Sequence, residues 1–124
     1  DEQVWIGGGR VGPHHAAFVP PQASRVPEAM DDLVAFMDRD DIPALVQVAI
    51  AHAQFETIHP FVDGNGRTGR ALLHALLCSK GVTRHVTVPV SAGLLVEVDA
   101  YFDALSAYRL GDSEAMCMPR LSHW

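Results

Sequence analysis

Pro60 stands two residues beyond the apolar stretch that ends at Ile58, and Asp63-Gly64-Asn65-Gly66 follows it closely. A proline has no backbone N–H to donate, and its ring pushes the preceding residue out of the right-handed helical region. Two glycines within the next six residues then offer backbone conformations with positive φ. No continuous helix runs through such a segment. Apolar residues recur at helical spacing on both sides of it, so residues 43–81 must fold as helix, sharp turn and helix. Pro43 opens the first of these, with Leu45, Val48, Ala49, His52 and Phe55 on one face and a stop near Ile58-His59. The second runs from about Arg67 to Lys80, with Leu72, Leu73, Leu76 and Leu77 inward and Gly81 as its stop.

The rest of the chain fits around that pair. Pro27 suits the start of an earlier helix whose stripe is Val26, Met30, Leu33, Val34 and Met37, and Asp38 to Asp41 form an acidic loop. Val86 to Val90 reads as a short β-like connection. Ser91 caps a last helix reaching about Leu110, with Leu94, Leu95, Val98, Phe102 and Leu105 inward, and Gly111 ends it. Residues 1–26 differ. Gln3-Val4-Trp5-Ile6 and Ala16-Ala17-Phe18-Val19 read as two strands around a glycine-rich turn, and Pro20-Pro21 closes the second. The expected fold is all-α and compact, with a small β-hairpin flap in 1–26, a helical core in 27–112 and a tail of no clear pattern in 113–124. Tyr101 and Tyr108 read as packing residues.

Length and charge narrow the function. At 124 residues the chain is one domain by the rule of roughly 150 residues each. With 9 Lys and Arg against 15 Asp and Glu, the net charge is −6. That argues against a broad nucleic-acid surface, which needs an extended positive face, yet it leaves room for a small anion site. No apolar run approaches the length of about 18 residues expected of a membrane span. Asp1 and Glu2 are not the start of a signal peptide, and a chain opening on Asp rather than Met reads as a piece of a longer protein. Two cysteines, Cys78 and Cys117, are too few for a disulfide scaffold. Reduced thiols and a cytoplasmic location are expected, including the cytoplasm of a host after delivery, with Cys78 packed as a small hydrophobe.

The segment from His59 to Arg70 concentrates the chemistry. The helix that follows the turn begins with unsatisfied N–H groups and the positive end of its dipole. Gly64 and Gly66 let the backbone approach a ligand, and successive N–H groups in such a turn form an anion nest. Arg67 and Arg70 project from one side of the first turn. They suit phosphate oxygens but are wrong for the dipole, so an anionic ligand explains them better than helix stability does. Asp63 is a hard oxygen ligand of the kind Mg²⁺ shares with phosphates. His59, beside it, is a base for near-neutral pH.

His59-Pro60-Phe61-Val62-Asp63-Gly64-Asn65-Gly66-Arg67-Thr68-Gly69-Arg70 resembles the signature of the Fic (filamentation induced by cAMP) family, His-Pro-Phe-x-Asp/Glu-Gly-Asn-Gly-Arg-x-x-Arg, at every defined position. The likeness extends over roughly residues 3–112, from Val4-Trp5-Ile6-Gly7 and Phe18-Val19-Pro20-Pro21 through Phe55-Glu56-Thr57-Ile58. It implies transfer of AMP from ATP to a Ser, Thr or Tyr hydroxyl of a target protein. His59 would be the general base and Asp63 would hold Mg²⁺ at the α- and β-phosphates. Gly64, Asn65 and Gly66 would cradle the α-phosphate, the Asn65 side chain helping. Arg67 would clamp the β-phosphate and Arg70 the γ-phosphate, with Gly69 in the same nucleotide-binding segment. Trp5, Ile6, Gly7 and Gly8 would form a flap that holds the target by strand addition. Gly66 favours adenylyl transfer, since the phosphorylating Doc-like branch tends to carry Lys there. An inhibitory helix or an antitoxin chain is an expected partner. The nearest internal match to the inhibitory pattern Ser/Thr-x-x-x-Glu-Gly/Asn runs from Ser24 to Glu28 and fails at Ala29 and Pro27.

Other readings remain open at this stage. The same cradle could serve transfer of UMP, phosphate or phosphocholine, or a nucleotide-binding adaptor or toxin remnant without activity. His52, Glu56, His59 and Asp63 could form a metal phosphohydrolase centre, against the simpler reading of His52 and Glu56 as a packed pair behind the motif. Gly7-x-Gly9-x-x-Gly12 and Gly64-x-Gly66-x-x-Gly69 match a dinucleotide fingerprint by letter only, because neither lies between a strand and a helix.

Overall fold

The break at Pro60 organises the structure, a computed structural model that describes residues 20–84 and 98–111. The first stretch belongs to one compact unit, Asp1–His85, and the second to another, Val86–Trp124. In the first, a single 3-10 turn at Ala23–Arg25 leads into α1 (Val26–Met37), which has a proline in its first turn. Helix α2 (Ala44–Ile58) follows, and α3 (Asn65–Ser79) starts after the glycine turn. Helix α1 packs on α2 and α2 packs on α3. Every element among the described residues is helical. The expected hairpin, with Trp5, Ile6, Gly7 and Gly8, lies outside the described residues, as do Val86 to Val90, the Ser91 cap and the tail 113–124.

The core lies between the three helices. Leu33 comes from α1, Val48, Ala51, Phe55 and Ile58 from α2, and Leu76 and Leu77 from α3; Met30, Phe36, Met37, Leu72 and Leu73 pack around them. Each large apolar side chain so buried stabilises the fold by about 1.5–3 kcal/mol against leaving it in water. The end of α3 follows the pattern that Gly81 promised. Gly81 has φ 73°, its N–H reaches the Cys78 carbonyl at 3.0 Å, and the Val82 N–H reaches the Leu77 carbonyl at 3.0 Å. These two bonds form a Schellman cap.

Several expected inward positions face outward. On α2, Leu45 is 65% exposed and Ala49 is also exposed. Ala44 to Ala51 is apolar nearly all round except for Gln47, so apolar spacing alone could not select a face. Val34 of α1 is half exposed while its neighbour Leu33 is fully buried. Cys78 is exposed, turned away from the Leu76 and Leu77 face by the helical step, and does not pack as a hydrophobe.

The buried polar residue Gln47 defines the inner face of α2. It is fully buried, and its Nε2 donates to the carbonyls of Phe36 at 2.8 Å, Met37 at 3.2 Å and Arg39 at 2.8 Å. Those are carbonyls left over where α1 ends. Lys80 pins the same loop from the other side, its Nζ donating to the Arg39 carbonyl at 2.7 Å and to Asp40 Oδ1 at 2.9 Å.

In the second unit, α4 (Val98–Leu110) ends at Gly111, where φ is 74°. Leu105 is buried as expected, but Val98 and Phe102 are exposed, Phe102 lying against the ring of Tyr101 with centroids 5.5 Å apart.

Gln47→Met keeps the volume and removes the donor. Removing the amide that binds these three carbonyls should lower stability by about 1–3 kcal/mol in chemical denaturation. An unchanged midpoint would show that the Gln47 cap contributes nothing.

Candidate active site

The residues that shape the site are set by two left-handed positions. His59 caps α2 at φ 51° and ψ 57°, with its N–H on the Phe55 carbonyl at 2.9 Å. It is the one non-glycine residue with positive φ among the described residues. Pro60 disfavours the right-handed helical region for the residue before it, which ends α2 here. Gly64, at φ 81°, is the residue before α3 and turns the chain into that helix.

Between them the loop is closed by Asn65. Its Nδ2 donates to the Phe61 carbonyl at 2.6 Å, and the Phe61 N–H donates to its Oδ1 at 2.9 Å. Asn65 is 2% exposed. Its side chain, expected to help at a phosphate, is engaged with the loop in this structure. The amide holds the loop, and the backbone N–H of Asn65 lies in the first turn of α3. The amide supplies one of its two N–H donors and its oxygen, matching the carbonyl and the N–H of the same residue, Phe61.

Helix α3 has no side-chain cap. The Gly64 N–H is taken by Asp63 Oδ1 at 2.6 Å, and the Thr68 N–H bonds the Gly64 carbonyl at 3.0 Å. The N–H groups of Asn65, Gly66 and Arg67 lie in the first turn, where a helix has no partners of its own to offer, at the positive end of the dipole. Asp63 Oδ2 faces Arg67 Nη2 at 3.6 Å, and both side chains are largely exposed. Such a pair is weak and readily exchanged for a ligand. The two arginines fold back over the two glycines. A Cβ on Gly64 would lie 3.4 Å from Arg67 Nη2, and one on Gly66 would lie 3.3 Å from Arg70 Nη1.

His59, Val62, Asp63, Gly64, Asn65, Gly66, Arg67 and Arg70 together line one open cleft of about 330 Å³. All the predicted residues of the motif meet there except Gly69. Gly69 is buried against α2 instead. A methyl group on it would run into Glu56 Oε1 and come within 3.1 Å of Phe55 Cδ1 and 3.3 Å of His52 Cε1. It serves helix packing and does not line the cleft.

His52 and Glu56 are both buried on the far side of that contact. His52 Nδ1 lies 3.2 Å from the Gly69 carbonyl. Burial pushes its imidazole below the ordinary value of 6.5; the Gly69 carbonyl opposes this and the Arg70 charge reinforces it. Among the described residues, no three His, Cys, Asp or Glu side chains come together as a metal cage. His52 and Glu56 are thus a packed pair behind the motif, and the four-residue hydrolase centre is not assembled.

The Fic/DOC family model matches residues 6–77. This chain belongs to the Fic/DOC family. A protein adenylyltransferase of Caenorhabditis elegans is 33% identical over 98 residues, covering 77% of this chain and 18% of that protein. One from Drosophila erecta is 34% identical over 82 residues, covering 64% and 15%. The crystal structure of a Fic family protein from Desulfovibrio desulfuricans G20 superposes with a TM-score of 0.55 at 33% identity, covering 91% of this chain and 32% of that one. The chain thus spans less than a fifth of the length of these two curated relatives.

Two outcomes follow from the packing behind the cleft. Gly69→Ala should lower stability by about 1–3 kcal/mol through overpacking, read as a lower thermal midpoint; an unchanged midpoint would show that α3 can shift without loss. The pH dependence has a definite sign. With its folded-state pKa depressed, His52 is neutral in the fold, and the unfolded chain takes up the proton first. Its contribution is complete above about 6.5 and declines as the pH falls below that value towards the folded-state pKa. The thermal midpoint should therefore drop on acidification through this range, and His52→Asn should drop less; equal slopes would contradict it.

Proposed function

We propose that this chain is the catalytic core of a protein adenylyltransferase that moves AMP from ATP to a Ser, Thr or Tyr hydroxyl of a target protein. One observation carries the reading: a base, a carboxylate, an uncapped helix N-terminus and two arginines line the same cleft. The names of the relatives support it.

In this reading the triphosphate lies along the first turn of α3. The N–H groups of Asn65, Gly66 and Arg67 take the α-phosphate oxygens, where negative charge grows during transfer. Arg67 binds the β-phosphate and Arg70 the γ-phosphate, each fork matching phosphate oxygens. His59 accepts the proton of the target hydroxyl as its oxygen bonds the α-phosphorus. The bond from that phosphorus to the bridging oxygen of the β-phosphate breaks, and pyrophosphate leaves. Asp63 fits a magnesium ion, being one exposed carboxylate beside the phosphate positions, the donor set this ion commonly accepts. Magnesium there would neutralise phosphate charge. Gly66 favours adenylyl over phosphoryl transfer, since the phosphorylating Doc-like branch tends to carry Lys at this position. A flap formed by Trp5, Ile6, Gly7 and Gly8 would present the target segment. An inhibitory helix or an antitoxin would act by occupying Arg70, and the expected setting is the cytoplasm, the chain's own or that of a host.

The test is labelling from ATP in a cell lysate with Mg²⁺. Label on the α-phosphate should appear on protein and disappear with His59→Ala. Label transferred from the γ-phosphate alone would replace this reading with kinase-like chemistry. No transfer, with ATP still raising the thermal midpoint, would leave a nucleotide-binding adaptor. Arg70→Ala should weaken ATP binding about ten-fold or more, as expected when one charge-assisted contact is lost, and unchanged affinity would remove the γ-phosphate assignment.

A further inference from the structure

The carbonyl of Gly69 and the backbone nitrogen of Arg70 belong to one planar peptide unit, so whatever fixes that carbonyl fixes the root of the Arg70 side chain. His52 Nδ1 lies 3.2 Å from the Gly69 oxygen. A carbonyl only accepts, so this contact is a hydrogen bond when the ring carries its proton on Nδ1. His52 sits in the middle of α2, 7% exposed, between the core residues Ala51 and Phe55. It has little freedom to follow α3 if α3 shifts. The missing Cβ of Gly69 admits this contact, since a methyl there would stand 3.3 Å from His52 Cε1. At its other end, the Arg70 guanidinium lies back over Gly66 in the cleft wall, while His52 does not line the cleft.

We propose that His52 is a positioning residue for Arg70: its Nδ1–H fixes the Gly69–Arg70 peptide and thereby aims the guanidinium which, in the transferase reading on which this rests, takes the terminal phosphate of ATP. The electrostatics of the pair agree. Burial and the Arg70 charge both disfavour a charged His52, so Arg70 has a neutral donor behind it and not a second cation. Glu56 and Phe55 press on the same glycine, so the peptide is held sterically as well as by the hydrogen bond.

Asparagine sets its amide nitrogen near the position of Nδ1, and glutamine sets it near that of Nε2. His52→Gln should therefore raise the Kd for ATP about three- to ten-fold, the worth of one net hydrogen bond, while His52→Asn recovers most of the loss. The Kd for AMP, which has no terminal phosphate, should move little in either variant. With Arg70→Ala also present, the difference between Gln and Asn should vanish. A difference that persists there, or equal losses for ATP and AMP, overturns the inference and leaves His52 a packing residue. The ring tautomer is read from nitrogen-15 spectra of the unsubstituted protein at neutral pH. Nδ1–H is expected and Nε2–H refutes, so the inference stays exposed even where His52→Gln fails to fold. Wild-type protein with no affinity for ATP overturns the transferase reading and this inference together. Wild-type protein that binds ATP, with the Gln and Asn variants behaving alike, overturns this inference alone.

Discussion

The contact at Gly69 sets the relation between α2 and α3, and the site inherits that relation. Three side chains of α2, His52, Phe55 and Glu56, close on a residue that has no side chain of its own. Any larger residue would hold the helices apart, and the cleft residues sit at the junction of the same two helices. His59 ends one of them and Arg67 and Arg70 begin the other. A displacement of α3 at Gly69 is therefore a displacement of the arginines relative to the base. Stability and site geometry depend here on the same few atoms.

The electrostatics of the turn make sense only with a ligand in view. Two arginines and no side-chain cap at the start of α3 are each unfavourable for a bare helix. The fold does little to relieve this. The Asp63–Arg67 pair is long and exposed, and the side chain of Asn65, the first residue of α3, closes the preceding loop and does not cap the helix. An anion placed on the first turn answers the free N–H groups, the dipole and both guanidinium groups together. The backbone of His59 fits the same picture. A non-glycine residue held at positive φ carries conformational strain, and such strain tends to persist where a side chain must be aimed.

Much of this was legible in the sequence. The helix–turn–helix around Pro60 was, because proline and glycine act locally and leave few choices. The membership of His59, Asp63, Gly64, Asn65, Gly66, Arg67 and Arg70 in one cleft was also legible, because residues packed into one turn cannot lie far apart. What was not legible depends on contacts distant in sequence. The inner face of α2 is chosen by Gln47, which reaches back 8 to 11 residues to the end of α1. Its burial contradicts any reading in which polarity means exposure. Gly69 entered the nucleotide-binding segment only through the family resemblance, and the structure packs it against a neighbour 17 residues away on α2. The outward turn of Leu45, Ala49 and Val34 has the same origin. Where a helix is apolar on every side, only its partner decides which side is covered.

Gln47 and His52 illustrate one principle from two directions. Both are polar, both are buried in α2, and both donate to carbonyls of another segment. A purely apolar α2 would bury comparable area against α1 and α3, yet apolar contact is not directional and would tolerate rotation or sliding of the helices. A donor that must meet a particular carbonyl does not, since a misplaced buried donor is left unpaired at a cost of about 1–3 kcal/mol. Gln47 fixes α2 against the end of α1, and His52 fixes it against the start of α3. The apolar core thus supplies most of the stability, while these two hydrogen-bonding side chains select the one register in which the arginines of α3 share a cleft with His59.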